Sequence, residues 1–399
     1  MKLVLFGAGN IGRSFIAPLF ARAGWDVVFV DVNTTIVDAL NDRGGYDVVV
    51  VDSDAPADRV AVSGVRAIDG RDAAAVAAEL ATSDLAATAV GKAALGPVSR
   101  ALAAGLAERR RVNPGRPLDV ILAENVRDGA ALVRAAVAAD VGQTDDLGLI
   151  ETSIGKMVPI VPADEAARDP LIVYAEPYNT LIVDAKGFRT EVPSVQGLSA
   201  VDRIDAYVDR KLFIHNMGHA TAAYLGYARD ASVRLLSETL DRPSTLERTR
   251  TAMEQSADGL EAEYPTVFAK AALRENVDDL LRRFANRALG DTVHRVGRDL
   301  PRKLGRDDRI VGAMLLCARH RLPFDAIADA YRAAIGFDCP DESGAVSADD
   351  RSFLADAAER GVRWVLTTVS SLDPADPVDA RVIAAVIAGS SDAAGTADE

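Results

Sequence analysis

Short apolar runs alternate with segments of helical spacing through the first half of the chain, the sequence form of β-α-β units around a parallel sheet. KLVLF (2–6), DVVFV (26–30), DLAATAV (84–90) and LDVILA (118–123) read as strands. Alanine-rich stretches at 10–22, 34–42, 71–80, 93–109 and 128–139 carry apolar residues at helical intervals. The stretch 46–68 reads as an inserted hairpin or extended pair, and further strands are predicted at 147–154 and 171–184. Beyond about residue 198 β-branched runs thin out and long amphipathic Ala/Leu/Arg segments take over, which predicts an all-helical domain. From 386 the periodicity is lost and the composition turns small and acidic, so a disordered tail is expected over 386–399. The expected architecture is α/β: a doubly wound Rossmann-type domain at 1–197, then an all-α domain at 198–385, with a substrate cleft between them.

A chain of 399 residues suits two domains, and 49% hydrophobic residues are enough to give each a core. The formal charge of −14 argues against nucleic acid or an anionic membrane as partner, because neither is drawn to an acidic surface. A small anionic ligand remains compatible with locally clustered cations. The two cysteines, Cys317 and Cys339, lie in no metal-binding spacing with the four histidines, so no metal site is expected. The N-terminal apolar run breaks at once into glycines, unlike a signal peptide, and no stretch approaches a membrane span. The expected location is the cytoplasm. Oligomeric state does not follow from these features.

The chemistry begins with Gly7, Gly9 and Gly12, a G-x-G-x-x-G directly after a strand and before a helix, with Asn10 and Ile11 opening that helix. Such a turn lets a pyrophosphate approach the backbone and the helix N-terminus. Asp31 ends the second strand at the distance expected of a carboxylate that accepts from the adenosine ribose. An acid there repels a 2′-phosphate, and no arginine follows immediately, so NAD is expected over NADP. Thr88, Val90 and Gly91 end a later strand where the sheet opens, and are expected to border the cofactor.

A second cluster lies in RKLFIHNMGHATAAYLG at 210–226. On an α-helix Lys211, His215 and His219 would share a face, with Asn216 beside them. Taken singly, each has an ordinary explanation as a solvated lysine, a packed histidine or an interhelical amide. Hydride transfer from an alcohol needs a base for the hydroxyl proton and donors for the developing alkoxide. A desolvated lysine among cations, with asparagine amides nearby, would supply both.

These residues resemble the polyol-specific long-chain dehydrogenases. The likeness is carried by GAGNIGRSFI (7–16), AENV (123–126), DRKLFIHNMGHATAAYLG (209–226) and RVGRDLPRKLGRDDRI (295–310), and extends over most of the chain. The family signature K-x4-N-x2-H falls on Lys211, Asn216 and His219. The resemblance implies Lys211 as general base, Asn216 and Asn125 as holders of the reacting oxygen, and His219 as the residue that orients substrate. It further implies that Arg295 and Lys303 reach the polyol, with Arg298 and Arg302 as candidate phosphate ligands; His215, standing where relatives place an apolar residue, is expected to add a substrate contact. The implied reaction is metal-independent, NAD-dependent interconversion of a polyol phosphate and a ketose phosphate, D-mannitol 1-phosphate and D-fructose 6-phosphate being the expected pair. The alternatives are an unphosphorylated polyol or a hexuronate as substrate, or a catalytically silent NAD-binding regulator. The chain departs from the family at Gly155, where an acidic residue is usual, and at Leu181 and His215.

Overall fold

The computed structural model describes residues 1–392, apart from Asp54, Asn125 and Ile160. The chain divides into two compact units, Met1–Tyr207 and Val208–Glu399.

The first unit carries the strands β1 (Lys2–Phe6), β2 (Asp26–Asp31), β3 (Gly45–Asp52), β4 (Ala55–Ser63), β5 (Val65–Asp69), β6 (Leu85–Thr88), β7 (Leu118–Leu122), β8 (Leu147–Ser153), β9 (Val173–Ala175), β10 (Leu181–Asp184) and β11 (Leu198–Val201). Eight of them form one sheet in the order β11-β10-β8-β7-β6-β1-β2-β5. From β8 to β5 all pairs are parallel, whereas β10 runs antiparallel to β8.

Strand alternation explains why β1 and β2 are apolar without a break: successive side chains face opposite sides, and both sides are covered. Leu3, Leu5, Val27 and Phe29 pack with Phe15, Ile16, Leu19 and Phe20 on one face. Val4, Phe6, Val28 and Val30 pack with Val76, Leu80, Leu102 and Leu106 on the other.

The stretch 46–68 is only partly an insertion. β3 and β4 form the antiparallel hairpin, but β5 returns to the main sheet and pairs in parallel with β2. The predicted strand at 171–184 is two strands in different sheets: β9 joins β3 and β4 in a three-stranded sheet, and β10 joins the main one. The buried Tyr46 of β3 fastens the small sheet to the glycine-rich turn's helix by donating its hydroxyl to the Arg13 carbonyl at 2.7 Å. β11 keeps residues 198–201 with the sheet, so the compact units part ten residues later than the change in composition at 198.

The second unit is helical. Met217–Arg229 packs against Leu236–Leu240, Pro243–Glu263 and Asp325–Ile335, and its glycines allow the close approach to the first two. A Cβ on Gly218 would stand 2.5 Å from Met253 Sδ, and one on Gly226 would stand 2.3 Å from Thr239 Cβ. The last helix, Pro377–Asp392, continues past 386, where the loss of periodicity predicted the start of a tail. Val382 and Val386 are buried, which gives that helix an apolar anchor that composition alone hides. Among the described residues, no helix is long and apolar enough to cross a membrane.

Candidate active site

In the first unit the sheet order changes direction at β1, between β2 and β6, the place where open α/β sheets form a binding crevice. Gly7 leaves β1 at φ +94°, and a Cβ there would meet the Ala89 carbonyl oxygen at 2.5 Å. A Cβ on Gly12 would meet the Gly7 carbonyl oxygen at 2.1 Å, so turn and helix can close only with glycine at both positions. Gly9 and Asn10 are exposed, and a Cβ on Gly9 would meet no neighbouring atom, so the backbone at the helix start is open to approach. Ile11 is half-buried beside them. The helix begins with a π-turn, Gly12–Ile16. Beneath it the buried Arg13 guanidinium donates to the Ala8 and Pro170 carbonyls.

Asp31 holds this loop from the side. Its Oδ2 accepts from the Ala8 amide at 2.6 Å and its Oδ1 from the Asn33 amide at 2.9 Å. Each carboxylate oxygen has a further lone pair for a ribose hydroxyl. These features fit a dinucleotide with an unphosphorylated ribose.

The strand end at 88–91 is organised by Glu124, a residue the sequence pattern did not single out. Thr88 Oγ1 donates to Glu124 Oε2 at 2.5 Å, and the Val90 amide donates to Oε1 at 2.9 Å. Burial raises the Glu124 carboxyl above its ordinary range, against the opposing pull of these hydrogen bonds. The Thr88 hydroxyl is therefore committed within the protein, and its backbone and the Gly91 turn remain to border a ligand. Asn125, next along the chain, lies outside the described residues.

In the second unit the predicted single α-helix through 210–226 is interrupted. Ile204–Arg210 leads into a π-turn at Lys211–Asn216, and α geometry resumes at Met217. The Met217 amide reaches back five residues to the Leu212 carbonyl. On a regular α-helix residues five apart point about 140° apart, whereas the wider π-turn narrows that angle to roughly 50°. The wider turn thus brings Lys211 and Asn216 nearer to one face than α periodicity allows. The buried Ser256 hydroxyl donates to the Phe213 carbonyl at 2.7 Å and supports the irregular turn from outside.

Burial pushes the half-buried Lys211 ammonium down to about 7, and the Arg309 cation adds to the effect. His215 is buried, and the same desolvation, together with Arg283, His219, Lys211 and Arg309, holds it well below its usual range. His215 is neutral near pH 7. The His219 ring stacks on Phe284, with centroids 4.7 Å apart at 30°, while His215 meets Phe284 edge-on at 5.4 Å. His219 Nε2 lies 3.3 Å from Asp291 Oδ2, off the direction of a good hydrogen bond. Asp291 also pairs with Arg295 through its other oxygen.

The basic run is divided by the fold. Lys303 is buried, donates to the Val296 carbonyl at 2.6 Å, and is pushed down to about 7 by burial, with Arg309 and Arg302 assisting. Arg295 is turned to Asp291, and through it to His219. Arg302 is exposed and engaged by Asp299 and Asp308. Arg298 is exposed, with no ion pair among the described residues.

Arg309, absent from the sequence-derived set, presses on Lys211, His215 and Lys303 alike. It starts the helix Arg309–Arg319, which packs against the π-turn, and it pairs with Asp308 at 2.8 Å. It sits within the family-like RDDRI, but nothing in its spacing distinguishes it from its solvated neighbours. Among the described residues no three His, Cys, Asp or Glu side chains converge as metal ligands.

The family description "Mannitol dehydrogenase Rossmann domain" matches residues 1–197, and "Mannitol dehydrogenase C-terminal domain" matches residues 203–366. The chain belongs to the mannitol dehydrogenase family. Within it, the chain is 36% identical over 361 residues to a mannitol-1-phosphate 5-dehydrogenase of Brevibacillus brevis, covering 88% of this chain and 91% of that protein. It is 35% identical over 378 residues to the enzyme of that name from Bacillus licheniformis, covering 92% and 95%. The fold is shared with Pseudomonas fluorescens mannitol 2-dehydrogenase, solved as a ternary complex with NAD and D-mannitol (TM-score 0.68, 15% identity, 96% and 90% of the two chains). It is likewise shared with a substrate-free D-sorbitol dehydrogenase (TM-score 0.75, 16% identity, 97% and 91%).

Proposed function

We propose that the chain is an NAD-dependent polyol phosphate dehydrogenase that interconverts D-mannitol 1-phosphate and D-fructose 6-phosphate, with Lys211 as the proton acceptor. The observation that carries the proposal is the Lys211 amine: burial and the Arg309 cation bring it to about 7, where it can gain or lose a proton at physiological pH. The family relationship to named mannitol-1-phosphate 5-dehydrogenases supports the substrate pair.

Bound NAD supplies the hydride acceptor. The Gly7–Gly12 loop receives its pyrophosphate and Asp31 its adenosine ribose. In oxidation Lys211 Nζ takes the hydroxyl proton, and the Asn216 amide donates to the developing alkoxide. Asn125 is the second amide donor on the strength of the family resemblance. In reduction Lys211 returns the proton. His219, stacked on Phe284 beside Asp291, orients the substrate. Lys303, Arg295, Arg298 and His215 are assigned to the polyol and its phosphate, where an arriving dianion draws Lys303 toward its charged form. The two cysteines are buried free thiols, which suits a reducing cytoplasm.

Two observations favour a second reading within the family. Arg302 is held by Asp299 and Asp308, which removes one cation from a phosphate site, and Gly155 lies against the Tyr178 ring where an acid is usual. An unphosphorylated polyol or a hexuronate is the substrate on that reading. The test is NADH oxidation with fructose 6-phosphate, fructose and hexuronates in parallel. Turnover with fructose 6-phosphate that vanishes in Lys211→Met supports the proposal. Turnover confined to fructose or a hexuronate replaces its substrate, and turnover that survives Lys211→Met removes its base.

A further inference from the structure

The sequence offers no arginine directly after Asp31, yet the fold brings one to its side. β5 is the parallel neighbour of β2, and in their register Asp31 is the partner of Asp69, the last residue of β5. Adjacent strands lie about 4.8 Å apart, so two carboxylates end side by side at the adenosine end of the crevice. The turn after β5 then folds back over β2. The Gly70 amide donates to the Asp31 carbonyl at 2.9 Å, and a Cβ on Gly70 would stand 3.5 Å from Val32 Cγ1. Val32 itself is 66% exposed, an uncovered apolar side chain directly beyond the ribose-binding acid.

Arg71 follows in this turn, and its guanidinium is occupied. Its Nε donates to Asp69 Oδ1 at 2.8 Å and its Nη2 to Asp69 Oδ2 at 2.7 Å, a two-pronged pair that the Arg71 backbone amide joins at 3.0 Å. In dinucleotide folds an arginine near the end of the second strand is the group that accommodates a 2′-phosphate. Here such an arginine stands one strand away, clamped by a carboxylate whose own charge repels phosphate. The neighbouring Asp72 is spent on capping the next helix, where it accepts from the Ala75 amide at 3.0 Å.

We propose that Asp69 is a second specificity-determining residue for NAD over NADP, acting both by its charge beside Asp31 and by withholding Arg71 from the 2′ position. The inference rests on the NAD reading above. It adds that this chain holds a latent 2′-phosphate ligand under restraint. The pair lies on the surface, with side chains 61% and 35% exposed, so breaking it leaves the core untouched. The turn keeps its backbone bonds from Gly70 to Asp31 and from Asp72 to Asp69. Asn at 69 retains an acceptor for the Arg71 amide.

The experiment is equilibrium titration of the full chain with NADH and with NADPH, read by nicotinamide fluorescence and therefore independent of the sugar substrate. The unmodified chain is expected to favour NADH. Asp69→Asn is expected to tighten NADPH binding about tenfold, the scale of one removed repulsion and one added charge-assisted contact near the surface, while NADH binding moves less than about twofold. Asp69→Asn combined with Arg71→Ala is expected to lose most of that gain. An unchanged NADPH-to-NADH ratio in Asp69→Asn overturns the proposal, and a gain that persists without Arg71 overturns the role given to the arginine. Failure of the unmodified chain to bind NADH at all overturns the cofactor reading beneath it.

Discussion

Replacing Lys211 with arginine keeps a cation on the same turn but removes its capacity to shed a proton near neutrality. In the folded chain Lys211 is brought from 10.5 to about 7 by burial and by Arg309. At pH 7 about half the molecules carry the free amine, where an ordinary lysine would present it in roughly 1 of 3,000. An arginine presents a neutral guanidine in fewer than about 1 of 100,000. A positioned general base contributes about 10²- to 10⁴-fold, so Lys211→Arg is expected to lower kcat for polyol phosphate oxidation by that factor. The assay is NADH formation across about pH 5.5 to about pH 9, paired with NADH consumption by fructose 6-phosphate. The sign differs between the two directions. Oxidation needs the unprotonated amine, so its rate climbs with pH and levels above about 7; reduction needs the ammonium, so its rate is level below about 7 and falls above it. An arginine variant within about tenfold of the parent, or profiles that run the same way in both directions, would refute the role of Lys211 as base.

Arg309→Gln removes the cation that assists desolvation, and the inflection in both profiles is expected to move to higher pH; no movement excludes Arg309 from the electrostatics of the site. Lys211→Met should abolish turnover yet stabilise the fold. The native group binds protons less readily than its unfolded counterpart, so its penalty is full below about 7 and fades as pH rises toward 10.5. Allowing for relaxation, the gain at neutral pH is about 2–3 kcal/mol, or roughly 5–10 °C in Tm, and a lowered Tm contradicts it. Gly12→Ala places a methyl 2.1 Å from the Gly7 carbonyl oxygen. It is expected to cost about 1–3 kcal/mol in denaturant unfolding and to weaken NADH binding by at least about tenfold, and unaltered binding would show that the loop is not the cofactor cradle. Asp291→Asn should leave NADH affinity unchanged and lower kcat on the order of tenfold by loosening His219, and a change in affinity alone counts against that role.

Local pattern was enough for the parts of this protein that depend on neighbours in sequence. The apolar runs of β1 and β2 announce strands covered on both faces, and the glycine spacing with Asp31 announces a dinucleotide turn, because each is set within about twenty-five residues of chain. The spacing of Lys211, Asn216 and His219 carried the family likeness for the same reason. What the pattern could not contain was decided by contacts between distant segments. The valine-rich stretch 46–68 reads as one insertion until β5 finds β2 as a partner, and only that pairing sets Asp69 and Arg71 beside Asp31. The π-turn at Lys211–Asn216 breaks the periodicity on which a helical face is predicted, with Ser256, forty residues on, supporting its carbonyl. Arg309 looks like any solvated arginine until its helix packs on that turn and its charge reaches Lys211, His215 and Lys303. Residue type and spacing name the groups that can do chemistry, but a proton affinity depends on the water excluded and the charges nearby, and both are properties of the packed chain.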